Sequence, residues 1–245
     1  MALVPTMGYF HEGHLALMRT ARSMADRVVV SLFVNPTQFG PGEDLDVYPR
    51  DFAGDCRKAQ QSGVDVLFCP SAEQMYPEQA FTTVSVDHLS RRLCGADRPG
   101  HFAGVTTIVA KLFHLIRPHC AIFGEKDFQQ LLVIKKMVAD LNMGVSIIAH
   151  PIVREHDGLA MSSRNAYLSM TERQIALVLY QTLQMVHHQV QQRKPDLAVQ
   201  DVINGATDRL ARTDGCQLDY FDIVDSNTLM TANSFTLPCR AVGAI

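Results

Sequence analysis

The run Val28-Val29-Val30-Ser31-Leu32-Phe33-Val34, closed by Asn35-Pro36, constrains the fold most. It is apolar or β-branched almost throughout, without the alternation of a strand that has one wet face. Such a run reads as a strand buried on both faces, which is the condition of a parallel sheet covered by helices. Shorter runs of the same kind stand at 64–69, 121–123 and 145–149. Between them lie helical stripes. Leu15, Met18 and Ala21 form one, and Phe52, Cys56 and Ala59 a second, closed by Gly63. Val105, Ile108, Leu112 and Leu115 form a third, and Phe128, Leu131, Leu132, Val138 and Leu141 a fourth. Strands alternating with helices predict an α/β fold with a doubly wound parallel sheet. Ligands then belong beyond the carboxyl ends of the strands.

After about residue 155 the texture changes. Ser169-Met170-Thr171-Glu172 reads as a capping box that opens a long helix to about Arg193, broken by Lys194-Pro195. A helix over 197–212 and a strand at Tyr220–Val224 complete a smaller α+β domain. The predicted division is therefore 1–154 and 155–245, with a hinge near Glu155 to Gly158.

The 245 residues are 47% hydrophobic and carry a net charge of −3, so no global basic field attracts nucleic acid or an anionic membrane. Anionic ligands must be held by local groups. No window reaches the roughly 18 apolar residues of a membrane span, and residues 1–20 carry histidines where a signal peptide is apolar. A cytoplasmic location is expected. The six cysteines form no C-x-x-C pair and mostly sit in apolar stretches, so buried free thiols are expected.

Several candidate motifs fall just past predicted strands. His11-Glu12-Gly13-His14 stands at a strand-to-helix junction, where unpaired backbone N–H groups favour phosphate. The histidines, three apart, should lie together over the helix end, and Gly13 lets a ligand approach the backbone. Two surface histidines are the plain alternative. The segment is one residue short of the zinc motif H-E-x-x-H, and no dedicated metal cage is expected. Gly124-Glu125-Lys126-Asp127 repeats the arrangement: Lys126 suits a phosphate oxygen, while Asp127 suits either a helix cap or a ribose hydroxyl. Met161-Ser162-Ser163-Arg164-Asn165 supplies hydroxyls and a guanidinium for a triphosphate, or is a plain polar loop. Asn35 and Gln38 follow the buried strand with polar amides, and Gln38, which can donate and accept at once, suits a hydroxy acid. Gln130 should share a helix side with Lys126. Arg98-Pro99-Gly100-His101-Phe102 is a cationic turn.

The H-x-G-H pattern resembles that of the nucleotidyltransferase superfamily. PTMGYFHEGH, FVNPTQF, YPR at 48–50, RPGHFAGV, FGEKDFQQL and DGLAMSSRN, in that order, resemble the pantothenate synthetase (pantoate–β-alanine ligase) family across nearly the whole chain. The resemblance implies a Rossmann-like ATP- and pantoate-binding domain, a smaller C-terminal lid, a cytoplasmic homodimer and Mg-ATP as substrate. The implied reaction joins pantoate to β-alanine through pantoyl adenylate, releasing pyrophosphate and then AMP. ATP would contact Met7, Gly8, Tyr9, Phe10, His11, Glu12, Gly13, His14, Gly124, Glu125, Lys126, Asp127, Val153, Met161, Ser162, Ser163 and Arg164. Pantoate and β-alanine would contact Gln38, Gln130 and Asn35. His11, His14, Lys126 and Arg164 would stabilise the transition state, with His14 a candidate proton donor to pyrophosphate.

The family has a helical segment before its first strand and a further strand and tail after the last, so a shortened chain with weakened lid closure is expected. Two rival readings follow. One is another HxGH enzyme, such as a cofactor adenylyltransferase or a class I aminoacyl-tRNA synthetase, although M-S-S-R-N lacks the lysines of the synthetases' loop. The other is a truncated, non-catalytic nucleotide-binding homologue.

Overall fold

The computed structural model describes residues 1–78, 80–192, 197–235 and 238–245. The chain divides into two compact units. The first comprises Met1–Arg91, Arg98–Val153 and Met161–Arg164, and the second Arg92–Asp97, Arg154–Ala160 and Asn165–Ile245.

Ala2–Thr6 forms β1, Glu12–Met24 α1, Val28–Leu32 β2, Phe52–Gln61 α2 and Val66–Phe68 β3. The short helices α3 (Ala72–Met75) and α4 (Cys94–Asp97) precede α5 (His101–Ile116). Then come β4 (Cys120–Gly124), α6 (Phe128–Asp140) and β5 (Ser146–His150). The sheet is parallel throughout, in the order β3-β2-β1-β4-β5. This is the doubly wound α/β arrangement expected from the alternating runs.

Both faces of the central strands are buried, which is why their sequences do not alternate. Ala2, Val4, Val28, Val30, Cys120 and Ile122 pack in one cluster with Met18 and Ala21 of α1 and Ala59 of α2. By the period of two, Leu3, Val29 and Ala121 face the other way, and they are equally buried. The topological switch falls between β1 and β4, so the H-x-G-H segment after β1 and Gly124–Asp127 after β4 flank the crevice that such sheets open.

In the second unit α7 (Met170–Gln191) and α8 (Val199–Ala211) pack on an antiparallel pair, β6 (Tyr220–Asp225) and β7 (Cys239–Ala244). The capping box forms as read: Ser169 Oγ accepts the Glu172 N–H, and the Glu172 carboxylate accepts the Ser169 N–H. The Lys194-Pro195 break lies outside the described residues. Residues 154–160 are not a slack linker within this unit. Glu155 N–H donates to the Leu159 carbonyl at 2.8 Å, and Arg173 of α7 donates to both Glu155 and Asp157.

Two expectations need correction. All six thiols are free, but only Cys120 is buried; Cys69 is exposed and the rest are half-buried. Phe52, Leu115 and Leu141 sit on the helical stripes yet are 60%, 60% and 52% exposed, and each stands within two residues of an end of its helix. Among the described residues no helix is long and apolar enough to cross a membrane.

Candidate active site

The segment after β1 turns sharply. Gly8 and Tyr9 both take left-handed backbone angles, φ 89° and 53°. Glycine accepts this readily; tyrosine needs outside support. Asp55 of α2, which is 1% exposed, provides it by accepting the Tyr9 and Phe10 N–H groups, both at 2.7 Å. Lys58, one turn further along α2, donates to the Phe10 carbonyl at 2.6 Å. The turn is thus gripped at three backbone atoms by one neighbouring helix.

It delivers His11 to the N-cap of α1. His11 Nδ1 accepts the Gly13 N–H at 3.1 Å, and His14 Nδ1 accepts the His11 N–H at 3.4 Å. Two imidazoles therefore do what serine and glutamate do in an ordinary capping box. Because a backbone donor occupies Nδ1 of each ring, the neutral form of each ring carries its proton on Nε2. The ring centroids lie 4.1 Å apart. Gly13 is required by this pairing, since a Cβ there would come within 2.9 Å of the His11 ring.

His14 is pushed down from 6.5 to about 3, first by desolvation and then by His11 and Lys126. This revises its expected role as proton donor: near neutral pH the ring is uncharged and offers an Nε2–H hydrogen bond. The linkage has a definite sign. Between about pH 3 and 6.5 the unfolded chain binds a proton at His14 that the folded chain refuses, so this contribution to stability is lost as pH falls through that window, at up to about 1.4 kcal/mol per unit. The His14→Gln variant should therefore lose less Tm than the unmutated chain between pH 6.5 and 4. Parallel Tm–pH curves for the two proteins would refute this.

Across the crevice, Lys126 donates to Asp127 at 3.2 Å. Asp127 holds the N-cap position of α6 but makes no side-chain capping bond, so the capping reading is set aside. Desolvation raises its carboxyl, but Lys126 together with Arg164 and His101 outweighs this and holds it below the usual range. Residues 161–164 close the near side: Met161 N–H donates to the Val153 carbonyl at 3.0 Å, and Ser163 Oγ to the Tyr9 carbonyl at 3.3 Å. Arg164 donates through Nε and Nη2 to the Asp44 carboxylate at 2.9 and 2.8 Å, and its guanidinium lies 5.5 Å from the Tyr48 ring centroid.

At the far end Asn35 is 1% exposed and fully committed. Its Nδ2 donates to the Gly104 carbonyl and to Gln38 Oε1, at 3.1 and 3.2 Å. Its Oδ1 accepts from Thr37 and Tyr76, at 3.0 and 2.8 Å. Asn35 thus lines the cleft with no amide valence to spare and orients Gln38. Gly104 permits that contact: a Cβ on it would sit 2.3 Å from the Thr37 carbonyl oxygen. His101 Nδ1 lies 2.8 Å from the Gln38 carbonyl, and Arg98 binds Glu43 and the same carbonyl.

One cleft gathers Met7, His11, Gly13, His14, Gly124 and Lys126 with Asp127, Val153 and Met161 to Arg164, together with Asn35, Gln38 and Gln130. Five expected ATP contacts are not among its lining residues. Phe10 is 2% exposed in the core, and Glu12 pairs with Arg19 on the surface. Gly8 and Tyr9 shape the turn, and Glu125 stands outside the cleft. The sequence reading missed Asp55, Lys58, Gly104 and His150, the last of which lines the cleft. Only Gly104 carried a signal, as a small residue inside a strongly apolar helix.

The profile of the Pantoate-beta-alanine ligase family matches residues 1–245. The pantothenate synthetase of Heliobacterium modesticaldum is 52% identical over 246 residues, covering 100% of this chain and 86% of the relative. That of Geobacter sulfurreducens is also 52% identical, covering 99% and 86%. The crystal structure of the Thermus thermophilus pantothenate synthetase superposes with a TM-score of 0.95 at 46% identity, covering 99% of this chain and 87% of that one. A Francisella tularensis pantoate-beta-alanine ligase, solved with beta-gamma ATP and beta-alanine, gives 0.75 at 35% identity, covering 90% and 80%.

Proposed function

The chain belongs to the pantoate–β-alanine ligase family, and from that premise we infer how its cleft divides the labour of the reaction. The protein is a ligase that condenses pantoate with β-alanine to pantothenate, with ATP as co-substrate. One observation carries the assignment of roles. Lys126, Arg164 and the two Nε2–H imidazoles line the same crevice as the amides of Gln38 and Gln130 and an apolar wall from α5.

In the first half-reaction a pantoate carboxylate oxygen attacks the α-phosphorus, and the bond to pyrophosphate breaks. Both reactants are anionic, so alignment and charge neutralisation decide the rate. His11 and His14 donate to the phosphates at the α1 N-terminus, while Lys126 and Arg164 balance the leaving group. Met7, Gly13, Gly124, Asp127, Val153 and Met161 to Ser163 frame the nucleotide. Gln38 and Gln130 orient the pantoate hydroxyls, and Asn35 holds Gln38. Val105, Ile108 and Val109 of α5 suit the branched carbon of pantoate and exclude water. In the second half-reaction the β-alanine amine attacks the acyl carbon and AMP leaves.

Among the described residues no three metal-ligating side chains converge. Mg²⁺ keeps its waters and takes one or two carboxylates, so it would not need such a cluster. Asp127 is the carboxylate that lines the cleft. We propose that a binding domain over roughly 1–154 and a smaller lid over roughly 155–245, with 92–97 and 161–164 exchanged between the two units, work within a cytoplasmic homodimer. Light scattering in solution tests the dimer.

The decisive assay supplies Mg-ATP and D-pantoate and follows pyrophosphate, then adds β-alanine and follows AMP. Pantoate-dependent pyrophosphate followed by β-alanine-dependent AMP supports both half-reactions. ATP binding with neither product would favour the non-catalytic reading.

A further inference from the structure

Arg164 meets Asp44 side-on, through Nε and Nη2 to the two carboxylate oxygens at 2.9 and 2.8 Å. That two-point edge is one of the two a guanidinium can offer to a phosphate, so a phosphate that takes this edge displaces the carboxylate. We propose that Asp44 is a displaceable counter-ion of Arg164: the phosphates of ATP drive it off on entry, and its return to the guanidinium helps expel pyrophosphate. This rests on the reading of Arg164 as a phosphate-binding group.

Three features favour exchange over a fixed structural pair. The pair is half-buried, with side-chain exposures of 44% for Arg164 and 22% for Asp44, so water can replace the carboxylate as it leaves. Arg164 also has a second support. Its guanidinium lies 5.5 Å from the ring of Tyr48, which is 5% exposed, so the fork stays in place when Asp44 leaves. Finally, Asp44 is tethered. The preceding residue, Glu43, binds Arg98 through both carboxylate oxygens, and Gly42 takes a left-handed φ of 82°. A carboxylate held on such a leash keeps a high effective concentration at Arg164 and re-forms the pair quickly once phosphate departs. Asp44 is thus a positioning residue: it reaches the substrate only through competition for Arg164.

The test compares the unmutated protein with Asp44→Asn and Asp44→Glu. Calorimetry measures inorganic pyrophosphate binding with Mg²⁺ present, and steady-state assays give KM for ATP and kcat. Asp44→Asn should bind pyrophosphate roughly three- to ten-fold more tightly and lower KM for ATP by a similar factor, because the competitor is gone. Its kcat should fall as product release slows, and Asp44→Glu should restore values near the original. Raising the salt should shrink the difference. A loop that was merely damaged would weaken both ligands, so pyrophosphate binding that is unchanged or weaker in a folded Asp44→Asn protein overturns the proposal. Pantoate-dependent pyrophosphate release by the unmutated protein tests the ligase reading separately.

Discussion

Replacing His14 by alanine should slow pyrophosphate release in a single turnover by roughly 10²- to 10³-fold, the usual result of deleting one preorganised donor. The ring is a neutral Nε2–H donor whose tautomer is set by the His11 N–H, so its aim costs nothing to reorganise when charge develops on the phosphates. Part of the loss would come through the helix, because the same ring closes the N-terminal cap. Lys126→Ala removes that ambiguity. Lys126 caps nothing and its side chain is 40% exposed, so its loss should leave the melting temperature almost unchanged while producing a similar fall in rate. Near-normal release from both variants would overturn the assigned roles.

The second large effect concerns a residue outside the lining of the cleft. Asp55→Ala should destabilise the protein by roughly 3–5 kcal/mol, because two backbone N–H groups lose a charged acceptor and are left buried. At about 2–4 °C per kcal/mol for a chain of this size, Tm should drop by roughly 6–20 °C. ATP affinity should fall with it, since Tyr9 at φ 53° has no intrinsic reason to keep that angle once the grip is gone. Asp55→Asn keeps one acceptor oxygen and should fall between. A thermal melt and an ATP titration of both variants decide the matter; an Asp55→Ala protein as stable as the original would refute the clamp.

The same contrast shows what was legible in the sequence. The stripe Leu15, Met18, Ala21, the valine run of β2 and the Ser169–Glu172 capping box are local signals, and each appears where it was read. β7 was not legible. Cys239-Arg-Ala-Val-Gly-Ala contains one β-branched residue and becomes a strand by pairing with β6. Asn35 read as a substrate amide because its position past a buried strand is visible, whereas the four partners that occupy it come from other segments and neighbouring turns. Asp55 is invisible for a related reason, and Gly104 is marked only as a small residue in an apolar helix. One answers backbone donors about 45 residues away and the other makes room for a carbonyl, and neither leaves a periodic trace.

The place of β1 in the middle of its sheet also has a consequence for biosynthesis. β1 pairs with β2 some two dozen residues later, but its other neighbour, β4, begins only at Cys120. At ribosomal speeds of about 5–20 residues per second, the strand that carries the H-x-G-H turn spends roughly 6–24 s with one edge unmet. During that interval the nascent chain presents an open row of backbone donors and acceptors beside Ala2, Leu3 and Val4, the feature that invites strand-to-strand aggregation. Yield in cells should therefore respond to translation rate and chaperone supply more sharply than the stability of the finished enzyme suggests.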